Sequence, residues 1–256
     1  MRLATWNVNS LTARMPRVTQ WLEQQQPDVL CMQETKLADD KFPEKEFAEL
    51  GYEAAHYGDG RWNGVAILSR VGLDDIVRGF GTSDDQYGCR VVAAKCAGVD
   101  VYSVYVPNGR ALDNEMYPVK LQWLAQLRTT LDQRCPPGSS LAVCGDFNVA
   151  PDDGDVWDPA AFVGATHVSE PERAALSNVE AWGLDDVFRR FNEPGTFTWW
   201  DYRAGDFHQG RGLRIDLVLV SDDLVQRATG AFRDRDARKG QKPSDHAPVV
   251  ADFADR

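Results

Sequence analysis

Asp146 and Asn148 stand two residues apart in Leu141-Ala-Val-Cys-Gly-Asp-Phe-Asn-Val-Ala-Pro151, where an apolar run turns polar. The same switch recurs along the chain. Asn7 and Asn9 close the first apolar run, and Glu34 closes the second. Tyr105 precedes Pro107-Asn-Gly109, Asp216 interrupts Leu213-Arg-Ile-Asp-Leu-Val-Leu-Val220, and Asp245-His246 precede the last run. Burying an unpaired carboxylate is costly, so acids inside apolar strands need partners or a metal. Any one of these residues alone could cap a loop. Several of them at strand ends together predict an oxygen-lined cleft. Their hard oxygens suit Mg²⁺ or Mn²⁺ and not a structural zinc. With one His and one Tyr nearby, the set reads as metal-assisted phosphoester hydrolysis. Neither G-x-x-x-x-G-K-[ST] nor G-x-S-x-G occurs, which leaves P-loop and serine-hydrolase chemistry unsupported.

The elements that must position these residues follow from periodicity. Arg2–Val8 reads as a strand, then Leu11, Val18, Trp21 and Leu22 recur at helical spacing. Asp28–Gln33 and Gly64–Ser69 are further strands. Arg90–Lys95 and Val99–Val106 form an expected hairpin about Ala97-Gly98. Pro118 suits a first helical turn, with Leu121, Leu124, Leu127 and Leu131 facing inward. Ser169-Glu-Pro-Glu172 is a capping box that opens a helix ending near Gly183. Leu213–Val220 and Ala247–Phe253 are the last strands. Strand alternation should put Asp146 and Asn148 on one face with Phe147 opposite, and Arg214 and Asp216 together. The mixture predicts an α/β chain of mixed sheets with helices outside, in one domain over 1–256.

Composition bounds the class. The chain has 256 residues, 43% hydrophobic and 26% charged, with a formal net charge of −11. The acidic balance argues against nonspecific nucleic-acid binding. Residues 203–242 nevertheless hold nine Lys/Arg against six Asp/Glu, so one face could be locally basic. No run approaches the ~18 apolar residues of a membrane span, and the start has no secretory apolar core. Five cysteines without C-x-x-C spacing predict buried free thiols and a cytoplasmic protein.

With these residues placed, the chain resembles the exonuclease III family of abasic-site endonucleases, over nearly its whole length. The resemblance rests on Thr5-Trp-Asn-Val-Asn9, Pro27-Asp-Val-Leu-Cys-Met-Gln-Glu-Thr-Lys36, Tyr105-Val-Pro-Asn-Gly109, Gly145-Asp-Phe-Asn148, Gly212-Leu-Arg-Ile-Asp216 and Lys242-Pro-Ser-Asp-His-Ala-Pro248. The G-D-x-N and S-D-H pieces belong to the wider endonuclease/exonuclease/phosphatase superfamily, whose members include lipid phosphatases. Q-E-T-K, Y-V-P-N-G and G-L-R-I-D are more specific to the abasic-site branch. The resemblance implies a four-layered α/β sandwich of two mixed sheets flanked by helices.

It also implies a mechanism. Glu34 would be the main ligand of Mg²⁺, or Mn²⁺ in its place, with Asn7 and Asp245 in or near the shell and Asp146, Asn148 and His246 beside it. Asp146 would orient or deprotonate water, Asn148 would hold Asp146 or the phosphate, and His246 would pair with Asp216. Tyr105 would reach the phosphate or leaving group. Either Asp146 or His246 could be the general base, and one or two metals both fit. Trp199, Leu213 and Ile215 match the abasic pocket. Arg14, Lys36, Arg90, Asn108 and Arg110 are the expected backbone contacts. The implied partner is double-stranded DNA with abasic sites or blocked 3′ ends, bound by a monomer away from membranes. RNA or a soluble phosphoester is the alternative substrate, and a catalytically dead binding module the remaining one.

Overall fold

The computed structural model describes residues 1–81 and 87–255. Sheet one is ordered β11(Ala228–Arg233)-β12(Val249–Phe253)-β1(Arg2–Asn7)-β2(Val29–Gln33)-β4(Val65–Ser69)-β3(Glu53–Tyr57). Sheet two is ordered β5(Asp74–Arg78)-β6(Val91–Cys96)-β7(Val99–Tyr105)-β8(Leu141–Asp146)-β10(Asp216–Ser221)-β9(Leu184–Asp186). Most neighbours are antiparallel. The two parallel pairs, β1/β2 and β7/β8, lie inside their sheets. Parallel neighbours need a crossover, here α1 (Leu11–Gln25) and α3 (Met116–Arg134).

The layers follow from strand alternation. Cys31 and Ile67 of sheet one meet Ala142, Cys144 and Val218 of sheet two in a dry central core. The opposite faces of the same strands receive helices. Leu30 and Met32 pack under Val18, Trp21 and Leu22 of α1, and under Phe47 of α2 (Glu44–Glu49). Val143, Leu217 and Leu219 pack under Trp123, Leu124, Leu127 and Leu131 of α3, and under Leu176 and Val179 of α4 (Glu170–Glu180). Strands covered on both faces read as continuous apolar runs, and β2, β4, β8 and β10 are buried throughout. This is the expected four-layered α/β sandwich.

The local signals behave as their chemistry requires. Ala97 and Gly98 both have positive φ, 47° and 80°, the two-residue turn that suits a hairpin between β6 and β7. The capping box at Ser169 and Glu172 closes in both directions. Sequence periodicity misses β3, β5, β9 and β11. Four of the five β5 residues are exposed, so this edge strand carries no apolar alternation. On α3 the buried set includes Lys120 and Trp123, whereas Leu121 is only half-buried. All five cysteines are buried. Among the described residues, no helix is long and apolar enough to cross a membrane.

Candidate active site

The carboxyl ends of the four parallel strands converge. Asn7 ends β1, Glu34 follows β2, Tyr105 ends β7 and Asp146 ends β8. Register sets three acidic or phenolic groups side by side. Tyr105 is the cross-strand partner of Asp146, and Asp216 at the start of β10 is its partner on the other side. His246 arrives on the segment before β12. That segment is pinned to β1, because Ser244 Oγ donates to the Asn7 carbonyl at 2.6 Å and Trp6 Nε1 to the His246 carbonyl at 3.2 Å.

The two sheets are tied at this point by one amide. Asn7 Nδ2 donates to Glu34 Oε1 and to Asp146 Oδ2, each at 2.9 Å. Its oxygen accepts the Asn9 N–H at 3.0 Å. Asn7 thus presents its nitrogen to the acids and acts as a bridge; the expected oxygen ligand is turned away. Glu34, Asp146 and His246 have ligand atoms within 4.8 Å of one another. His246 Nδ1 donates to Asp216 at 2.9 Å, and its Nε2 lies 3.8 Å from Asp146 Oδ2. Asp245 stands at the edge, accepting from Asn9 Nδ2 at 2.9 Å and from Trp199 Nε1 at 3.1 Å.

Electrostatics divide the roles. Burial disfavours the charged His246 ring, but Asp216 and then Asp146 overcome it and push its pKa to about 10. These acids favour the protonated ring. Burial raises the Asp146 pKa, His246 opposes, and Asp216 and Glu34 add repulsion, for a value of about 7. Tyr105 is held well above its ordinary range by burial, then by Glu34 and Asp146, so its hydroxyl keeps its proton. Four acids (Glu34, Asp146, Asp216 and Asp245) share this end of the sandwich with His246 and Lys36. The surplus negative charge and the hard donors of Glu34 and Asp146 fit a divalent cation.

A pH profile follows. Turnover is expected to fall below about pH 7 as Asp146 takes up a proton, and to hold until His246 loses its proton near pH 10. Raising the level of a divalent metal would stabilise the carboxylate form and should move the acid limb to lower pH. Initial rates over roughly pH 5 to 10 at two metal levels measure this. An acid limb indifferent to metal would contradict it.

The remaining expected residues are placed unevenly. Strand alternation does not position Asn148, because β8 ends at Asp146 and Asn148 adopts a left-handed φ of 51°. Its N–H returns to Asp146 Oδ1 at 2.9 Å, while its side chain bonds the Val106 carbonyl and Asn108 Nδ2. Phe147 packs away, into the core beneath α3. Arg214 does not join Asp216; it is buried against Asp155 and Asp186. Lys36 turns inward to Glu34 at 2.9 Å and Asn9 at 2.6 Å. Arg90 stacks on the Tyr105 ring at 4.6 Å. Arg14 bonds Asn9, Tyr202 and Pro243. Asn108 and Arg110 are exposed beside the site. Trp199 and Leu213 line a cleft of about 370 Å³ with Arg110 and His167. Ile215 supports Leu213 from behind, in the same apolar cluster.

Two nearby residues escape sequence reasoning. Trp62, 78% exposed, lies next to Asn63, whose carbonyl receives the Lys36 N–H. His167 has φ 79°, its Nδ1 is 2.6 Å from the Asn148 carbonyl, and its ring centre is 6.5 Å from that of Trp199. A carbonyl only accepts, so Nδ1 carries the proton. Nε2 is then the acceptor, with Asn108 Nδ2 at 3.4 Å. Burial and then Lys120 lower the His167 pKa to about 4, so this ring is neutral where His246 is charged.

A sandwich whose parallel strand ends carry these acids and this His–Asp pair defines a phosphoester hydrolase, and the chain belongs to the endonuclease/exonuclease/phosphatase family, whose model matches residues 4–246. Within it the chain falls in the exodeoxyribonuclease III and abasic-site endonuclease branch of DNA-repair nucleases. It is 33% identical to exodeoxyribonuclease III of Haemophilus influenzae, over 99% of this chain and 100% of that protein. It superposes on an AP endonuclease from Archaeoglobus fulgidus with a TM-score of 0.95 and 39% identity, over 99% of each chain. A Neisseria 3′ phosphatase bound to a product DNA hairpin gives a TM-score of 0.96, with the same identity and coverage.

Proposed function

We propose that the chain is a Mg²⁺-dependent nuclease that repairs duplex DNA, incising 5′ to abasic sites and clearing blocked 3′ ends by 3′–5′ exonuclease and 3′-phosphatase action. Mn²⁺ is the alternative metal. The carrying observation is the row Tyr105–Asp146–Asp216 across adjacent strands, completed by His246 on Asp216 and by Glu34 through Asn7. Glu34 and Asp146 would hold the cation, with Asp245 at the margin. When bound, a divalent ion supplies charge that stabilises the phosphoryl oxygens and the leaving oxygen.

The chain's own groups then have distinct tasks. Asp146 accepts the proton of the attacking water. Asn148 and Asn7 fix that carboxylate from two sides. The His246 cation, locked by Asp216, faces the phosphate and stabilises charge that develops on it. Tyr105 stays protonated and offers its hydroxyl to the phosphate or leaving group.

His167 favours a second emphasis within this function. A sugar lodged between two rings needs about 7 Å between their planes, twice a contact of about 3.5 Å. His167 and Trp199 leave less than that between their ring centres. An internal abasic sugar would have to pass this wall, whereas a terminal 3′ phosphate need not. His167→Gly suits the left-handed backbone and is expected to raise abasic incision relative to 3′-phosphate removal at least about tenfold. An unchanged ratio would remove His167 from substrate selection.

A substrate panel tests the function itself. Labelled duplexes with an internal abasic site, a 3′ phosphate at a nick, or an intact 3′ end are compared with RNA and a soluble phosphodiester in Mg²⁺. DNA repair predicts turnover of the damaged duplexes above the others. Preference for RNA or the soluble ester would overturn it.

A further inference from the structure

Lys120 of α3 and Glu172 of α4 form an ion pair at 2.5 Å, and both side chains are fully buried. The pair lies directly under the site. Lys120 Nζ donates to the Asn148 carbonyl at 2.6 Å and to the Asn108 carbonyl at 3.2 Å. Glu172 Oε1 accepts from Thr166 Oγ1 at 2.7 Å and from the His167 N–H at 3.0 Å, while Oε2 takes the Ser169 hydroxyl at 2.6 Å. The loop above is pressed onto it. A side chain at Gly109 would meet Lys120 Cδ at 3.1 Å and Thr166 Oγ1 at 3.2 Å.

Three active-site residues thus hang on one buried charge pair by their peptide groups. Asn148, in left-handed backbone, has its carbonyl fixed by two donors, Lys120 Nζ and His167 Nδ1. Its own N–H holds Asp146. Asn108 is held at its carbonyl and reaches back to Asn148 with its side chain. A buried pair is often replaceable by apolar residues without loss of stability, so burial alone does not explain why charges stand here. Their geometry does, because an ammonium can hold several carbonyls from different segments at once.

We infer that Lys120, set by Glu172, is a positioning residue: through the Asn148 and Asn108 carbonyls it orients Asp146 and fixes the ring and tautomer of His167. The inference rests on the phosphoesterase reading of the site. Misplacement of a reacting group by about 1 Å can cost about 10²-fold in rate. Lys120→Met is therefore expected to lower kcat about 10- to 10²-fold on a duplex carrying a 3′ phosphate at a nick, with KM within about threefold. Thr166→Val, a milder cut in the same network, should lower kcat in the same direction by about threefold. Nitrogen-15 NMR of the His167 ring should report a protonated Nδ1 in the wild type and a changed signal in Lys120→Met.

Assays are run below the melting temperature of each variant. If Lys120→Met does not fold, Thr166→Val decides: a lowered kcat supports the inference and a wild-type kcat overturns it. A folded Lys120→Met with wild-type kcat, or with its loss wholly in KM, overturns it as well. A wild-type protein without turnover of this duplex would sink the proposed function instead. The NMR arm then decides alone, and an unchanged His167 signal in Lys120→Met removes the positioning role.

Discussion

Asp146→Asn is expected to lower kcat about 10²- to 10⁴-fold, the range for removal of a positioned acid–base group, with the fold intact. The substitution keeps shape, and the backbone of β8 is unaffected. It removes the group placed to take a proton from water, and one of the two carboxylates that fit a cation. It also leaves His246 with one counter-charge fewer, since Asp146 is the second acid that raises its pKa. His246→Ala should cost turnover over the same span, because Asp216 is then buried without its partner and the phosphate loses the facing cation. Steady-state rates on the 3′-phosphate duplex, with circular dichroism as the folding control, measure both. Rates near wild type in either folded variant would remove it from the catalytic group.

The second large effect is on stability. Glu172→Leu should destabilise the protein by about 3–5 kcal/mol, the cost of breaking a buried ion pair from one side. Burial lowers the Lys120 pKa and Glu172 opposes this, so Lys120 would be left in a dry site without its paired carboxylate. Thr166, Ser169 and the His167 N–H would lose their common acceptor. The same group predicts a pH dependence. Burial would raise the Glu172 pKa, but Lys120 and the surrounding donors hold it down to about 2, from an ordinary 4.5. A carboxylate depressed on folding adds stability that is fully present above its unfolded pKa. That part is lost as pH falls from 4.5 toward about 2. Urea unfolding at neutral pH and along this acid range tests both statements. A loss for Glu172→Leu under about 1 kcal/mol, the scale of an exposed pair, would contradict the account.

How much of this was legible in the sequence depended on whether the signal was local. The strands that carry Asn7, Glu34, Tyr105 and Asp146 announced themselves as apolar runs closed by polar residues. The turn at Ala97-Gly98 and the box at Ser169 and Glu172 were equally local, and each formed as its chemistry requires. The resemblance supplied the two-sheet architecture and the pairing of His246 with Asp216. Alternation failed at Asn148, since it holds only while the chain stays extended and β8 ends two residues earlier.

The less legible features join distant segments. Arg214 looked like a neighbour of Asp216, yet its partners come from residues 155 and 186. Lys36 and Arg90 looked free for DNA, but each is claimed by a site residue next to it in space. Lys120 sits on the buried face of α3, where it is the one charged residue. That anomaly was available in the sequence and pointed to a buried partner. His167 carried no such mark, because its place beside Trp199 depends on a long loop without periodicity.

In the proposed reaction Glu34 and Asp146 hold a cation with which Asp146 and His246 hydrolyse a DNA phosphoester. The most direct measurement is a Mg²⁺ titration of turnover on the nicked 3′-phosphate duplex after removal of metal with excess EDTA, for wild type and Glu34→Gln. No turnover is expected in EDTA, with full recovery on adding Mg²⁺ in the wild type and a need for at least about tenfold more Mg²⁺ in Glu34→Gln, as for loss of a charged ligand. Equal turnover in excess EDTA, or identical titrations for the two proteins, would contradict it.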